Sequence, residues 1–396
     1  MKKRWLAGLL ALCLLSGCSG KQPEITVPPE TEQEQTGTGT FTLTFLTIGK
    51  GDAFLLTVPD GRHYLVDTGK AQDYPQIART LRVKGVTELE GIFLSHGHKD
   101  HIGSLLDLMT AFPTKRVYVS ARDLVTFVEV NPRKAVPAMG AELVELAGGE
   151  TLDLGGVNAE IWVPEKVDVE NGNNNSVIMR LVHGENAFLM MGDAETEEIA
   201  ALLASDFPVN ARVLKLGHHG ENDGTTPALL DGVGADIGLI TGNEAENPDS
   251  VNPQVGAWLE ARQMEAYYSE GDPLDLHSDG TNLTLERFPD GQLPQTLDLR
   301  FTQVDRGAQR VTIRNNGSGK ASLQGCTLIS QRGDEVFHFP ADTTLLPGQS
   351  LTVACRDGAL PGDLVWNRDA VWKKHRDTAL LYDENMNLLD IEPAEG

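Results

Sequence analysis

The chain has 396 residues, 40% of them hydrophobic and 6% aromatic, with a formal charge of −24 at neutral pH. That length and apolar content exclude a wholly disordered polymer and leave room for two ordinary cores. The acidic balance excludes a sequence-independent nucleic-acid scaffold, which needs a cationic surface, but not an enzyme whose bound metal makes its own site positive.

Residues 1–17 read as an export signal: Lys2, Lys3 and Arg4 precede an apolar run over residues 5–15 that is too short for a comfortable membrane span. Leu15-Ser16-Gly17-Cys18 resembles a bacterial lipobox, which implies a lipidated Cys18 and an extracytoplasmic lipoprotein anchored to the bacterial cell membrane. An uncleaved anchor and a plain secretory signal are the alternatives. Cleavage removes three basic and no acidic residues and takes the formal charge to −27. Residues 18–39 combine Pro, Glu, Thr and Gly with almost no apolar content and read as a flexible tether.

TFTLTFLTIGKGDAFLLTVPDGRHYLVDTG, from Thr40, alternates apolar and polar residues and breaks at Gly49-Lys50-Gly51-Asp52 and Pro59-Asp60-Gly61. The pattern predicts three strands that end at Asp67-Thr68-Gly69. AQDYPQIARTLRVKGV spaces its apolar residues helically, and residues 89–95 form another short apolar strand. FLSHGHKDHIGSL then places His96, His98, Asp100 and His101 where that strand stops and a helix begins. Continued alternation predicts an α/β layered domain whose site residues sit on loops at strand ends.

In an extended segment His96 and His98 project to one face and suit one ion, while Asp100 and His101, past the turn, reach a second. Imidazole with limited carboxylate suits zinc, and manganese or iron are also compatible. Partners follow downstream in order. Asp193 ends the apolar strand of NAFLMMGDAE, where a carboxylate could bridge both metals; His218-His219 ends that of ARVLKLGHHG, and one of the pair should complete the coordination of the second metal. Asp67 is placed to orient a ligand histidine or shape a turn.

Together Asp67-Thr68-Gly69, His96-Gly97-His98-Lys99-Asp100-His101, Gly192-Asp193 and His218-His219-Gly220 resemble the metallo-β-lactamase fold over about residues 40–288. GKGDAFLLTVPDGRHYLVDTG, NNNSVIMRL followed by FLMMGDAE, and VLKLGHHG resemble its ComEC-like competence-protein branch. The resemblance implies a four-layer αββα sandwich with two divalent ions between the sheets. It implies His96 and His98 on the first ion, Asp100 and His101 on the second, and Asp193 bridging. His219 is then the ligand of the His-His pair, and His218 faces substrate or moves a proton. Asp100, Asp193 and His218 become the catalytic residues.

Two departures matter. No histidine lies between His101 and His183, where many members carry a third ligand for the first metal; the stretch reads Asn171-Gly172-Asn173-Asn174-Asn175-Ser176. Asn175 and Ser176 are candidates for a site role there, with a plain turn as the alternative. After HHG, Glu221-Asn222-Asp223-Gly224 replaces the branch's serine-rich sequence, which leaves substrate preference open.

The expected chemistry is hydrolysis of a phosphodiester, DNA included, by a hydroxide generated on two ions, in the setting of DNA processing or uptake. The alternatives are a hydrolase of phosphocholine-bearing envelope polymers, and a surface binding protein whose hydrolase-like domain is catalytically weak.

From Pro294 short strands divided by Gly, Pro, Asn and Asp predict an all-β immunoglobulin-like sandwich. Residues 311–316, 323–328 and 346–351, then Trp366 and residues 377–383, resemble a lamin-tail domain. That resemblance implies a module that binds envelope polymer, nucleic acid or protein. Trp366 and Trp372 are candidates for a contact surface, with core packing the expectation for at least one of them. Cys326 and Cys355 either pair or stay free. The expected domains are residues 40–292 and 295–396.

Overall fold

Phe54, Leu55 and Leu56 are consecutive and all buried, but on two sides: Phe54 and Leu56 meet a second sheet, and Leu55 meets a layer of helices. That is the period of two of an extended strand with no solvent face, and it sets the architecture of the domain. The structure, a computed structural model, describes residues 39–122, 131–243, 252–289, 293–295, 297–373 and 376–394. The expected signal, Cys18 and nearly all of the tether lie outside these residues.

The first sheet begins with β1 (Phe41–Phe45), β2 (Phe54–Thr57), β3 (His63–Val66), β4 (Leu89–Phe93), β5 (Thr114–Ser120) and β6 (Glu142–Leu146). The second takes β7 (Thr151–Asp153), β8 (Asn158–Trp162), β9 (Ile178–His183), β10 (Asn186–Met190), β11 (Val213–Lys215), β12 (Ile237–Ile240) and β13 (Glu265–Tyr268). The chain then returns to the first sheet through β14 (Leu274–Ser278) and β15 (Leu283–Arg287). The strand orders are β15-β14-β1-β2-β3-β4-β5-β6 and β13-β12-β11-β10-β9-β8-β7.

Among the helices are α1 (Tyr74–Val83), α2 (Lys99–Ile102), α3 (Leu105–Ala111), α4 (Pro132–Ala138), α5 (Thr196–Leu203), α6 (Pro227–Val233) and α7 (Pro253–Ala261). Ile77, Ala78 and Leu81 of α1, with Leu105 and Leu108 of α3, cover Leu55, Leu65 and Ile92 on the outer face of the first sheet. Ile199 and Leu202 of α5, with Leu229 and Leu230 of α6, cover Leu189 and Leu214 on the outer face of the second. Between the sheets Phe41, Phe45 and Phe54 pack against Met179, Phe188 and Met190. These three cores make four layers, αββα, as the resemblance implies.

The C-terminal strands are β16 (Leu299–Asp305), β17 (Arg310–Asn315), β18 (Ala321–Ser322), β19 (Thr327–Ser330), β20 (Glu335–His338), β21 (Thr344–Leu345), β22 (Ser350–Cys355), β23 (Leu364–Trp366), β24 (Ala379–Tyr382) and β25 (Leu388–Glu392). Sheets ordered β16-β17-β22-β23 and β20-β19-β24-β25 enclose one core. Trp366 and Trp372 are both buried in it, edge to face with centroids 5.7 Å apart. Cys326 and Cys355 are free and buried.

The sandwich docks on the outer helices of the first sheet. Met386 joins their buried cluster, His338 Nε2 lies 2.6 Å from Asp107 Oδ1, and Asp334 Oδ1 accepts the Gln72 amide at 3.0 Å.

Candidate metal centre

Four strands of the two sheets stop at one place, and each delivers polar side chains there. Beyond β3, Asp67 takes a left-handed φ of 59°, and its carboxylate turns back under the neighbouring loop. Oδ1 accepts the Ser95 amide at 2.7 Å, and Oδ2 accepts the Ser95 hydroxyl at 2.6 Å and lies 2.9 Å from His101 Nδ1. Thr68 then donates its amide and hydroxyl to the His101 carbonyl. One short turn therefore fixes both the ring and the backbone of His101, which aims Nε2 into the groove.

Beyond β4 come His96 and, across Gly97, His98 at the start of α2, with His96 Nε2 3.1 Å from His98 Nδ1. Beyond β10, Gly192 makes the turn that presents Asp193: its φ is 54°, and a Cβ there would lie 2.8 Å from the Ser176 hydroxyl. That hydroxyl accepts the Asp193 amide at 3.1 Å. Beyond β11, His218 and His219 are both left-handed, at φ 45° and 55°. The turn packs so closely that a Cβ on Gly217 would meet the Gly224 carbonyl at 2.4 Å.

Asp193 Oδ2 is where these segments converge. It lies 2.9 Å from His101 Nε2, 3.1 Å from His219 Nε2 and 3.9 Å from His96 Nε2. Asp100 Oδ2 stands 3.5 Å from His219 Nε2. The structure thus brings together His96, His98, Asp100, His101, Asp193 and His219, with Asp67 behind His101. Asn175 does not reach the cluster: its amide bonds to the backbone of Asp168. Ser176 acts on the site only through the Asp193 amide. His183 serves the sheet, with Nδ1 2.9 Å from the Ser278 hydroxyl.

Two residues at the centre were not foreseen from the sequence. Asp52, from the turn between β1 and β2, places Oδ1 3.4 Å from His219 Nδ1. Lys215, fully buried at the end of β11, lies 2.5 Å from Asp52 Oδ2 and 3.5 Å from Asp193 Oδ1, and donates to the Gly192 carbonyl at 2.7 Å. The available signals were a Gly-Asp step between two apolar strands and a lysine in the otherwise apolar VLKL.

Burial alone would push the Asp193 carboxyl up, but His101, His219 and Lys215 outweigh it and hold it well below its usual range. Asp52, also buried, is held at about 2, chiefly by Lys215. Burial and the neighbouring His101 keep His96 neutral, well below the ordinary imidazole value. Against burial, Asp193 and its neighbouring carboxylates raise His101 well above the ordinary imidazole value and His219 to about 10, so these two rings hold protons that a divalent transition metal would displace to complete its donor set of carboxylate and imidazole.

The donors fit such an ion. Asp52 Oδ1 and His219 Nε2 are buried without a hydrogen-bond partner, and donor atoms of Asp52, His101, Asp193 and His219 lie within 4.8 Å of one another. Ligand atoms about 2.0–2.2 Å from one tetrahedral ion stand roughly 3.3–3.6 Å apart, close to the spacings around Asp193.

His218 forms a rim to this centre. Nδ1 lies 2.9 Å from Asp223 Oδ1 and 3.6 Å from Glu195 Oε1, while the Asn173 amide approaches Nε2 at 3.4 Å.

The metallo-β-lactamase superfamily profile matches residues 46–240, and the lamin tail domain profile matches residues 292–392. ComE operon protein 3 of Bacillus subtilis is 26% identical over 198 residues, which cover 46% of this chain and 25% of that protein. A UPF0173 metal-dependent hydrolase of Chloroflexus aurantiacus is 34% identical over 117 residues, 30% of this chain and 44% of the relative. The chain thus spans about a quarter of the first relative and under half of the second. Among solved structures, the metallo-β-lactamase fold protein YhfI of Bacillus subtilis aligns with 60% of this chain and 99% of its own, at 15% identity and a TM-score of 0.41.

Proposed function

We infer that this chain, a metallo-β-lactamase-superfamily hydrolase domain joined to a lamin tail domain, is an extracytoplasmic phosphodiesterase that works with two divalent ions. The observation that carries the reading is Asp193 Oδ2, a buried carboxylate oxygen within 4 Å of the Nε2 atoms of His96, His101 and His219. His96 and His98 would hold one ion, Asp100, His101 and His219 the other, and Asp193 both, with Asp52 beside the second. Zinc fits this donor set, and manganese is compatible with it. When bound, the ions supply Lewis-acid stabilisation of phosphoryl charge and lower the pKa of water toward neutrality.

The protein's own groups do the rest. Asp67 fixes the tautomer of His101 by accepting from Nδ1, which leaves Nε2 free to ligate. Lys215 keeps Asp52 and Asp193 ionised in a buried setting. His218, with Asp223 accepting at Nδ1, stands at the rim, where Nε2 would exchange a proton with a leaving alkoxide once it leaves its long contact to the Asn173 amide. Among the described residues no helix is long and apolar enough to cross a membrane. Membrane attachment is assigned to the lipobox at Cys18, and the C-terminal sandwich to holding polymer, nucleic acid or protein near the site.

A binding-only reading has one feature in its favour: among the described residues no third histidine joins His96 and His98. Metal content and turnover separate the two. The purified protein is assayed by metal mass spectrometry and against single-stranded DNA, double-stranded DNA and bis(p-nitrophenyl) phosphate with zinc or manganese, beside Asp193→Ala. About two ions per chain, with turnover lost in the variant, supports the enzyme. One ion or none, with no turnover of any substrate, selects the binding protein.

A further inference from the structure

Next to the metal centre, on the other side of the Asn-rich turn, lies a cavity of about 700 Å³, within the usual size of a small-molecule site. Trp162 and Val167 give it apolar walls. Its charged lining is five carboxylates, Glu165 and Asp168 among them, against one cation, Lys166. Asp168 is occupied by its own turn, where it accepts the Glu170 and Asn171 amides and the Asn174 side chain. Glu198 is different. It projects from the first turn of α5, is 3% exposed, and lines the cavity. Oε2 accepts the Ser176 amide at 3.3 Å, but Oε1 is buried with no hydrogen-bond partner.

A carboxylate oxygen buried without a donor is costly unless something brings it one. An anionic ligand would meet four further carboxylates. A divalent ion would require several oxygen ligands converging on one point, whereas among the described residues lining the cavity Glu198 alone has a buried oxygen without a partner. An organic cation uses everything present: Glu198, which gives up its proton as the cation enters, as counter-ion, the indole by cation–π attraction, and the apolar wall for its methyl or methylene groups. We propose that this cavity binds an organic ammonium group, with Glu198 as its counter-ion and Trp162 as its aromatic wall.

The cavity is also coupled to the metal centre. Ser176 donates its amide to Glu198 and accepts the Asp193 amide on its hydroxyl, so one residue joins the two sites. The proposal itself does not depend on hydrolysis.

The test is ligand-observed NMR on the purified, metal-free protein at fixed ionic strength, titrated with choline and, separately, with its neutral isostere 3,3-dimethylbutan-1-ol. Choline is expected to bind saturably, the alcohol at least tenfold more weakly, and Glu198→Gln and Trp162→Leu each to weaken choline at least tenfold. Circular dichroism establishes that the variants fold, and should Glu198→Gln fail to do so, Trp162→Leu decides. Absence of saturable binding, equal binding of the neutral alcohol, unchanged binding in the folded variants, or displacement of choline by stoichiometric calcium would each overturn it. Because no metal is present, such a failure is distinct from a failure to find phosphodiesterase activity.

Discussion

His101 is held at both ends of its ring: Asp67 Oδ2 lies 2.9 Å from Nδ1, and Asp193 Oδ2 lies 2.9 Å from Nε2. The first contact is structural and the second is where a metal would enter, so the two carboxylates would act through one imidazole. Asp67→Asn keeps the shape but no longer fixes the tautomer. Its affinity for zinc, measured against a chromophoric chelator, is expected to fall about 10–100-fold with the fold intact. An unchanged affinity would remove Asp67 from the site.

Asp193→Ala takes away the atom on which the histidines converge. Metal content should fall, and turnover should drop by at least about 100-fold, the scale of losing a group that places transition-state charge stabilisation. An active, metal-loaded variant would disprove the bridging assignment.

Lys215→Met leaves the buried Asp52 and Asp193 without the ammonium they share. Breaking a buried ion pair in this way costs about 3–5 kcal/mol, so the metal-free variant should melt well below the parent. Zinc replaces the missing positive charge and should raise the melting temperature of the variant more than that of the parent. Equal increments would show that Lys215 and the metal do not share the same carboxylates.

Burial pushes the Glu198 carboxyl well above its ordinary 4.5. The ligand-free folded state therefore keeps a proton that the unfolded state loses, and this contribution to stability is present below pH 4.5 and lost as pH rises through the raised value; an ammonium ligand would displace that proton. Glu198→Gln does not titrate. Its melting temperature relative to the parent should thus increase between pH 4.5 and pH 8, by roughly 2–4 °C for each kcal/mol removed. A difference independent of pH would mean that Glu198 is ionised in the folded protein.

The layers were legible because the local rules agree: period-two strands, helical spacing in residues 71–86, and breakers at the turns all point to one architecture. Ligands on HGHKDH could be placed from sequence because their spacing is local. Asp52 and Lys215 could not. Each makes sense only through a contact between segments more than 160 positions apart, and out of context the one reads as a turn residue and the other as a strand-end lysine. The Asn-rich turn was recognised, but not its phase. The short helical turn at Gly172–Asn175 points Asn173 toward His218 and Glu195, and Asn175 toward Asp168. Trp366 and Trp372, for which at least one core position was expected, both turned out to be core.

Two adjacent non-glycine residues in the left-handed region, His218 and His219, cost on the order of 1–3 kcal/mol each, and the surrounding backbone has to hold them there. It does so through bonds that involve no ion: His218 N to the Gly192 carbonyl, Glu221 N to the His218 carbonyl, and the close stacking of Gly217 on Gly224. Because these contacts need no ion, the cradle would offer each divalent ion the same donor spacing. Which metal it would carry then depends on intrinsic ligand affinity and local supply, so occupancy would be set as much by the compartment in which the chain matures as by the chain itself.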